Sequence, residues 1–282
     1  MRSRVDVSIA VALAATMTGA TYSIITTARA GPECTSAESI RAAGDSAEDI
    51  RLLLNVPAYR LDVIEHEQVT GSISVAVGQP EYRTPLGHFQ MDYAVWNPWW
   101  RPPASEWARR EKPKAPGWEN PVGRVKLHVT GLVFLHGTPL EDSRGSAASH
   151  ACVRMSNEDA IALARLVHDR AGPSLAPALL DSLVGDTTRT RTIALARTVP
   201  IDIVYRLAEV RSGDLLVYPD VYRLADRYAR GLRGHVVEAL QRARIDTTGL
   251  VIERMRDVMR MSRQHMARIA VDSLFGSRDP MP

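Results

Sequence analysis

Alternation of apolar and polar residues with a period of two constrains the fold of this chain more than any other feature. Residues 59–64 alternate in this way, the polar segment 65–68 follows, and the alternation resumes over residues 69–77. This pattern predicts two strands joined by a turn, which is a β-hairpin. Further extended segments are predicted at 84–91, 125–129, 132–135, 199–205 and 215–218. We therefore expect a mainly β fold with flanking helices.

Helical patterns interrupt the strands at several places. Residues 46–54 are predicted to form a helix with Ser46 as its N-cap. Another helix should begin at Ser156, because Ser156 and Asp159 have the spacing of a capping box. A short helix followed by a polar turn is expected within residues 173–198.

The C-terminal part of the chain has a different pattern. From Tyr222 to about Leu274 we predict helix, with methionines at a spacing of three to four between many arginines. Such a stripe favours a helix that packs on its own domain. Contact with a protein partner or a membrane surface through this helix is the alternative. Residues 223–282 are thus expected to form an α-helical extension.

The first thirty residues have the pattern of a signal peptide. Arg2 and Arg4 precede an almost uncharged apolar run over residues 7–25, and Ala28-Arg29-Ala30 supplies small residues for a cleavage site. Residues 31–45 are predicted to be a flexible leader. We expect the mature protein to be exported to the periplasm or cell envelope; an uncleaved membrane anchor is the alternative.

Composition excludes two classes of protein. With only two cysteines, Cys34 and Cys152, a disulfide framework is impossible and a single Cys34–Cys152 bridge is the most that could form. The formal net charge of +3 is not accompanied by a basic stripe with interleaved aromatic residues, so nucleic-acid binding is not expected.

Prolines and tryptophans are concentrated in residues 96–121. So many prolines are incompatible with a regular helix or a central strand, and the segment is therefore predicted to be a long ordered loop or flap. Its tryptophans either pack on the loop itself or form a wall of a substrate groove.

Candidate catalytic residues converge between Leu135 and Arg154. A strand ends at His136, and Cys152 follows after a loop of small residues. A cysteine nucleophile requires the thiolate, which a nearby imidazolium, a cation such as Arg154 or a helix N-terminus would favour. His136 is the better candidate for the base, because a neighbouring strand can bring an imidazole within reach of the sulfur. His150 would then orient the site or bind substrate, and backbone N–H groups of Ala151 and Cys152 would bind an oxyanion.

Two of these segments, HGT at 136–138 and SHACVRMSN at 149–157, resemble the active-site motif of L,D-transpeptidases with a YkuD-type catalytic domain. That motif is a His, a spacer and S-H-G-C-[IV]-R. NVPAYRLDV, VAVGQP, TPLGHF, WNPWW, NPVGRVKL, VPIDIVYR and YPDVY resemble the larger YcbB-like branch in the same order. The resemblance covers roughly residues 46–222, which we predict to be the catalytic domain.

The resemblance implies a β-sandwich-like domain with a tryptophan-bearing lid, no metal and no cofactor. It makes Cys152 the nucleophile and His136 the general base and acid. The residues expected to contact the substrate are Ser149, His150, Arg154, Gly137 and Trp99. The implied substrates are peptidoglycan stem peptides: Cys152 would attack the carbonyl at the L-centre of diaminopimelate, release D-Ala and pass the acyl group to an amine, forming a 3→3 cross-link.

One residue departs from the motif, because Ala151 occupies the position of its glycine. If that position requires a positive φ, alanine costs on the order of 1 kcal/mol. The added methyl group could also narrow the acceptor side, which leaves open an L,D-carboxypeptidase or a hydrolase that cleaves cross-links. The remaining alternative is a catalytically silent cell-wall-binding module.

Overall fold

The computed structural model describes residues 50–173, 177–225 and 231–276. The predicted signal peptide and flexible leader lie outside these residues, as does Cys34. None of the helices in the described ranges is long and apolar enough to cross a membrane.

An eight-stranded sheet forms the centre of the fold, which is mainly β as predicted. Its order is β3-β2-β1-β10-β5-β6-β7-β9. The strands are β1 (Arg51–Asn55), β2 (Arg60–Glu65), β3 (Gln68–Ser74), β5 (Gly87–Trp96), β6 (Val125–Thr130), β7 (Val133–Gly137), β9 (Val153–Met155) and β10 (Arg191–Val204). Most neighbours are antiparallel, but β1 pairs with β10 and β7 pairs with β9 in parallel.

Two smaller sheets and four α-helices complete the described part of the chain. One sheet pairs β4 (Val77–Gly78) with β8 (Ala147–Ser149), and the other has the order β11-β12-β13. The remaining elements are α1 (Asn157–Ala171), α2 (Pro177–Gly185), β11 (Ala208–Arg211), β12 (Asp214–Val217), α3 (Gly231–Arg242), α4 (Ile252–Met261) and β13 (Ala267–Ala270).

Local patterns located several of these elements correctly. The hairpin of β2 and β3 turns at His66 and Glu67, both with positive φ as a tight hairpin turn requires. The capping box is also confirmed, because the Ser156 hydroxyl accepts a hydrogen bond of 3.0 Å from the Asp159 N–H. Residues 97–124 form one long connection between β5 and β6, here called the proline-rich loop, with a short 3-10 helix at Glu106–Ala108.

The predicted helix at 46–54 is wrong where the structure describes it. Residues 51–55 form β1, in which Leu52 and Leu54 are fully buried at a spacing of two. The strand lies between β2 and β10. Its parallel partner β10 is about 150 residues away in the sequence and begins at Arg191, earlier than the strand predicted from residue 199.

The C-terminal extension is only partly helical. Helices α3 and α4 are followed by β13, which pairs with β12. This sheet therefore contains strands from both sides of residue 222, where the catalytic domain was predicted to end. Met255 and Val258 of α4 are buried in a second apolar core with β12 and α3, so this part of the predicted stripe packs on its own domain. Met261 and Met266 are exposed, and contact with a partner or membrane through them stays a prediction.

Candidate active site

Three charged or titratable side chains share one face of the main sheet. His136 on β7 is paired in register with Lys126 on β6 and with Arg154 on β9. Residues paired in register point to the same side of a sheet, so the three lie on one surface, here called the site face. The opposite face packs against α1 and is apolar. Leu127, Leu135 and Val153 are among its buried residues and are paired in register.

The thiol of Cys152 lies at the edge of the site face, directly before β9. It is a free cysteine and is half-buried. The preceding Ala151 has φ +75°, a left-handed conformation that alanine rarely adopts. Two hydroxyls hold this turn: Thr84 Oγ1 donates to the Ala151 carbonyl at 3.0 Å, and Ser149 Oγ donates to the Cys152 carbonyl.

The predicted placement of the thiol just before a helix is wrong. Strand β9 separates Cys152 from α1, whose first residue is Asn157. The start of α1 is capped by Ser156, and its N–H groups are not adjacent to the thiol. The charges that act on Cys152 must therefore come from side chains on the site face.

Burial and nearby cations have opposite effects on the thiol. Burial raises the pKa of Cys152, while a backbone hydrogen bond from Phe134 and the charges of Arg154 and Lys126 act to lower it. The net shift is upward. Sγ lies 3.4 Å from the Leu132 carbonyl oxygen, to which the thiol donates. The described structure is thus that of a protonated thiol with two cations close to it.

His136 is buried and neutral. Its Nδ1 lies 2.7 Å from the Gly137 carbonyl oxygen, which can only accept, so Nδ1 carries the proton and Nε2 keeps a lone pair. Burial lowers the pKa of His136 to about 4, helped by Arg154 and Lys126 and opposed by the Gly137 hydrogen bond. The imidazole is therefore in the form that can accept a proton. In the described residues no hydrogen bond joins Sγ to His136 or His150.

Gly137 has a packing reason to be glycine. A Cβ at Gly137 would lie 2.3 Å from Asn157 Oδ1, and one at Gly123 would lie 2.4 Å from the same atom. That oxygen accepts a hydrogen bond of 2.9 Å from the Arg124 N–H. The close approach fixes the end of β7, and with it His136, against the start of α1.

An aromatic stack connects the proline-rich loop with residues 149–154, here called the catalytic segment. The Trp107 and His150 rings are nearly parallel, with centroids 3.8 Å apart, and Tyr82 contacts the other side of His150 at 4.6 Å. Burial, followed by the charge of Arg154, lowers the pKa of His150. Among the ring contacts of the described residues, Trp107 therefore joins the loop to the segment that carries Cys152.

The chain matches the model of one protein family over the part that contains this site. Residues 49–193, just over half of the chain, match the model of the L,D-transpeptidase catalytic domain, YkuD. The chain belongs to the YkuD family. The YkuD domain of this protein thus contains the main sheet up to the start of β10, together with His136 and Cys152. The match defines the family and not its YcbB-like branch.

Relatives of this YkuD protein include YqjB from Bacillus subtilis (strain 168), which is described provisionally as an L,D-transpeptidase. The two are 30% identical over 116 residues, which are 41% of this chain and 64% of YqjB. The match therefore spans somewhat less than two thirds of that relative.

Solved structures with similarity to the chain are also L,D-transpeptidases. One from Mycobacterium smegmatis is 17% identical with a TM-score of 0.36, and the matched part covers 56% of this chain and 59% of that one. L,D-transpeptidase 3 from Mycobacterium tuberculosis is 13% identical with a TM-score of 0.36, over 56% of this chain and 61% of that one.

The remaining residues predicted to contact substrate have different surroundings in the YkuD domain. Ser149 is fully buried, and its hydroxyl holds the turn at Cys152. Arg154 lies on the site face, where its Nη1 donates to the Ala148 carbonyl at 3.4 Å. Trp99 is about half exposed and makes no ring contact with the described residues. Direct contact of these three residues with a substrate stays a prediction.

Backbone donors are available beside the thiol. In the described part of the chain, the N–H groups of Ala151 and Cys152 make no hydrogen bond. The positive φ of Ala151 turns this part of the backbone away from the strand geometry of β8 and β9. Free N–H groups next to a nucleophile are the usual donors to an oxyanion, and this role of the pair stays a prediction.

Sequence reasoning missed several residues of the site face. Tyr93 on β5 stacks on His128 with centroids 4.6 Å apart, and His128 Nδ1 lies 2.7 Å from Asp92 Oδ1. Phe134 contacts His128 at 5.4 Å, and Lys126 Nζ lies 4.1 Å from the Phe134 centroid. Their alternation along the strands is the signal that could have indicated them. No cluster of three or more potential metal ligands occurs among the described residues.

Proposed function

We propose that this protein is an exported L,D-transpeptidase that acts on peptidoglycan stem peptides in the cell envelope. The observation that carries the proposal is the position of Cys152 in a YkuD domain, on the same sheet face as a neutral, buried His136. A nucleophile on the same sheet face as a base that can accept its proton fits what acyl transfer requires.

Acylation would begin when Nε2 of His136 accepts the thiol proton. The sulfur then attacks the carbonyl carbon at the L-centre of diaminopimelate in a tetrapeptide stem, and the N–H groups of Ala151 and Cys152 donate to the developing oxyanion. The C–S bond forms, the C–N bond to the terminal D-Ala breaks, and the departing amine takes the proton from His136.

Transfer of the acyl group completes the reaction. A side-chain amine from a second stem attacks the thioester carbon, the new C–N bond forms and the C–S bond breaks. The amine loses a proton to His136, and the Cys152 thiol is regenerated. The product of this sequence is a 3→3 cross-link.

The test is incubation of purified tetrapeptide muropeptides with the mature protein, followed by chromatography and mass analysis. We expect 3→3 dimers and free D-Ala, and no products with Cys152→Ala or His136→Asn. Equal product formation by the wild-type and Cys152→Ala proteins would contradict the proposal.

The conformation of Ala151 favours one alternative, hydrolysis. A methyl group at φ +75° beside the thiol occupies space that a glycine would leave open to the acceptor. If this limits amines more than water, the enzyme is an L,D-carboxypeptidase or cleaves existing cross-links. Tripeptide products without dimers, produced only when Cys152 is intact, would support that alternative.

A carbapenem distinguishes both enzymes from a silent cell-wall-binding module. An active thiol opens the β-lactam ring and retains the whole molecule, so the intact mass should increase by one carbapenem in the wild-type protein. The mass of Cys152→Ala should not change. No adduct on the wild-type protein would favour the silent module.

A further inference from the structure

Lys126 is the one lysine of this chain that lies in a strand. The other two, Lys112 and Lys114, are in the proline-rich loop and are exposed. Lys126 is half-buried on β6 and lies on the site face, because it is paired in register with His136. A lysine on a half-buried surface loses hydration, and burial indeed lowers its pKa.

The side chain of Lys126 leans toward the thiol. Its Nζ lies 4.1 Å from the centroid of the Phe134 ring, the next residue of β7 on the same face. The β7–β9 register pairs Leu135 with Val153, so continuing it by one position places Phe134 beside Cys152. The ammonium group of Lys126 is therefore displaced along the sheet from His136 toward Cys152. Lys126 lowers the pKa of Cys152, and Cys152 in turn raises that of Lys126.

The positive charge of Lys126 is not neutralised by a carboxylate. In the described ranges neither Lys126 nor Arg154 forms an ion pair with an aspartate or glutamate. Arg154 from β9 also acts on the thiol, while His136 from β7 and His150 from the preceding turn are kept neutral by burial. A thiolate formed in the resting enzyme, by loss of its proton to solvent before His136 takes part, would thus be balanced by the two cations, because both imidazoles are neutral in that state.

We propose that Lys126 is a positioning residue for the nucleophile, whose ammonium group stabilises the thiolate form of Cys152. The inference rests on the proposed nucleophilic role of Cys152 and deepens it. It assigns to a side chain on β6 the function that cysteine enzymes commonly give to an imidazolium.

The experiment measures the rate of Cys152 alkylation by iodoacetamide as a function of pH, in a Cys34→Ser background with one thiol. Lys126→Met should shift the midpoint of this profile upward by about one pH unit, which is roughly tenfold slower alkylation below the midpoint. Lys126→Arg should keep the wild-type midpoint. Lys112→Met is the matched control, because it removes the same charge from an exposed position and should change nothing.

Two outcomes would overturn the inference. One is a midpoint that does not move in Lys126→Met or in the second neutral variant, Lys126→Gln, while circular dichroism shows both to be folded. The other is an equal shift in Lys126→Arg and Lys126→Met, which would show that the shape of lysine matters and its charge does not. Alkylation of Cys152 needs no muropeptide, so the two proposals can fail separately. If the midpoint depends on the charge at residue 126 but the muropeptide assay gives no product, the proposed function is rejected and this inference stands.

Discussion

Ala151 carries backbone strain at the position where the chain turns into the nucleophile. Its φ of +75° is held by the hydrogen bond from Thr84 to its carbonyl. Thr84 is itself fixed, because its Oγ1 accepts from the Gly78 N–H at 2.9 Å and its N–H donates to the Tyr222 hydroxyl at 3.1 Å. The surrounding structure therefore imposes a conformation that alanine does not prefer.

Replacing Ala151 with glycine should relieve this strain. We expect the free energy of unfolding to increase by about 1 kcal/mol, reduced somewhat by the greater entropy of glycine in the unfolded chain. Removal of the methyl group should also increase turnover where the acceptor is an amine. Urea denaturation and the ratio of dimer to tripeptide in the muropeptide assay measure the two effects.

Ala148→Gly is the matched control for this substitution. Ala148 lies in β8 without a positive φ, so glycine should lower the free energy of unfolding there, by about 0.5–1 kcal/mol. If both variants lose stability equally, the left-handed conformation at residue 151 is not a source of strain.

The site shows which residues a motif can and cannot reveal. His136 and Cys152 were predicted because each lies in a short motif that can be recognised from neighbouring residues alone. Lys126 and Trp107 were missed because their roles depend on pairing in the sheet and on the path of a long loop. The close approach of Gly137 to Asn157 likewise exists only in the folded chain.

At the scale of elements, the proline-rich loop covers the catalytic segment through one stack. The Trp107 and His150 rings account for the ring contacts between this loop and residues 149–154 in the described structure. A stacked aromatic pair contributes about 0.5–1.5 kcal/mol beyond its buried area. This one contact is thus weak enough for a substrate to displace Trp107 from His150.

Trp107→Ala should therefore uncover the thiol. Alkylation of Cys152 should become roughly two- to tenfold faster, which is the stacking energy expressed as a rate. In the muropeptide assay we expect a higher KM with a smaller change in kcat. Trp99→Ala decides between the two tryptophans: if it raises KM more than Trp107→Ala does, the substrate contact predicted for Trp99 is the dominant one.

Element boundaries were predictable only where their causes are local. The β2–β3 hairpin and the cap of α1 depend on neighbouring residues, and both were found. The helix predicted at 46–54 failed because β1 is a central strand, paired with the adjacent β2 and with the distant β10. The helix predicted to continue to Leu274 failed for the same reason, since β13 is a strand only through pairing with β12.

For the whole molecule, the buried neutral His136 makes stability depend on pH. Its pKa is about 4 in the folded protein against 6.5 in the unfolded chain, so the unfolded chain binds more protons between these values. The free energy of unfolding should fall as the pH decreases from about 6.5 to 4, by about 3 kcal/mol from this residue. Urea denaturation at pH 7 and pH 4.5 measures the difference.

In His136→Asn this contribution should disappear, and a smaller dependence should remain. Buried His168, whose Nε2 accepts from Trp96 at 3.1 Å, also has a lowered pKa and acts in the same direction. An identical pH dependence in the wild-type and His136→Asn proteins would contradict the assignment.

A polar network joins the two apolar cores. Asn55 Nδ2 donates to Glu209 Oε1 at 2.9 Å, and Glu209 also pairs with Arg60. Arg211 forms an ion pair of 3.1 Å with Asp62, which is buried in β2. The described residues form one compact unit, and we expect both cores to unfold together.

Leu240→Ala tests this coupling, because Leu240 is fully buried in the second core. It should lower the free energy of unfolding by about 2–5 kcal/mol in a single transition. Leu140→Ala removes the same atoms from an exposed position and should change it by less than about 0.5 kcal/mol. Two separate transitions in Leu240→Ala would show that the second core unfolds on its own.

The position of β10 between β1 and β5 has a consequence for the nascent chain. Synthesis runs from the N-terminus, so β1 and β5 are complete long before residues 191–204 exist to pair with them. Until then two central strands expose unpaired N–H and C=O groups, which invite pairing with other chains. The catalytic segment is already synthesised at that stage but has no completed sheet beneath it. Aggregation or proteolysis of the unfinished chain is therefore a hazard that only the arrival of β10 removes.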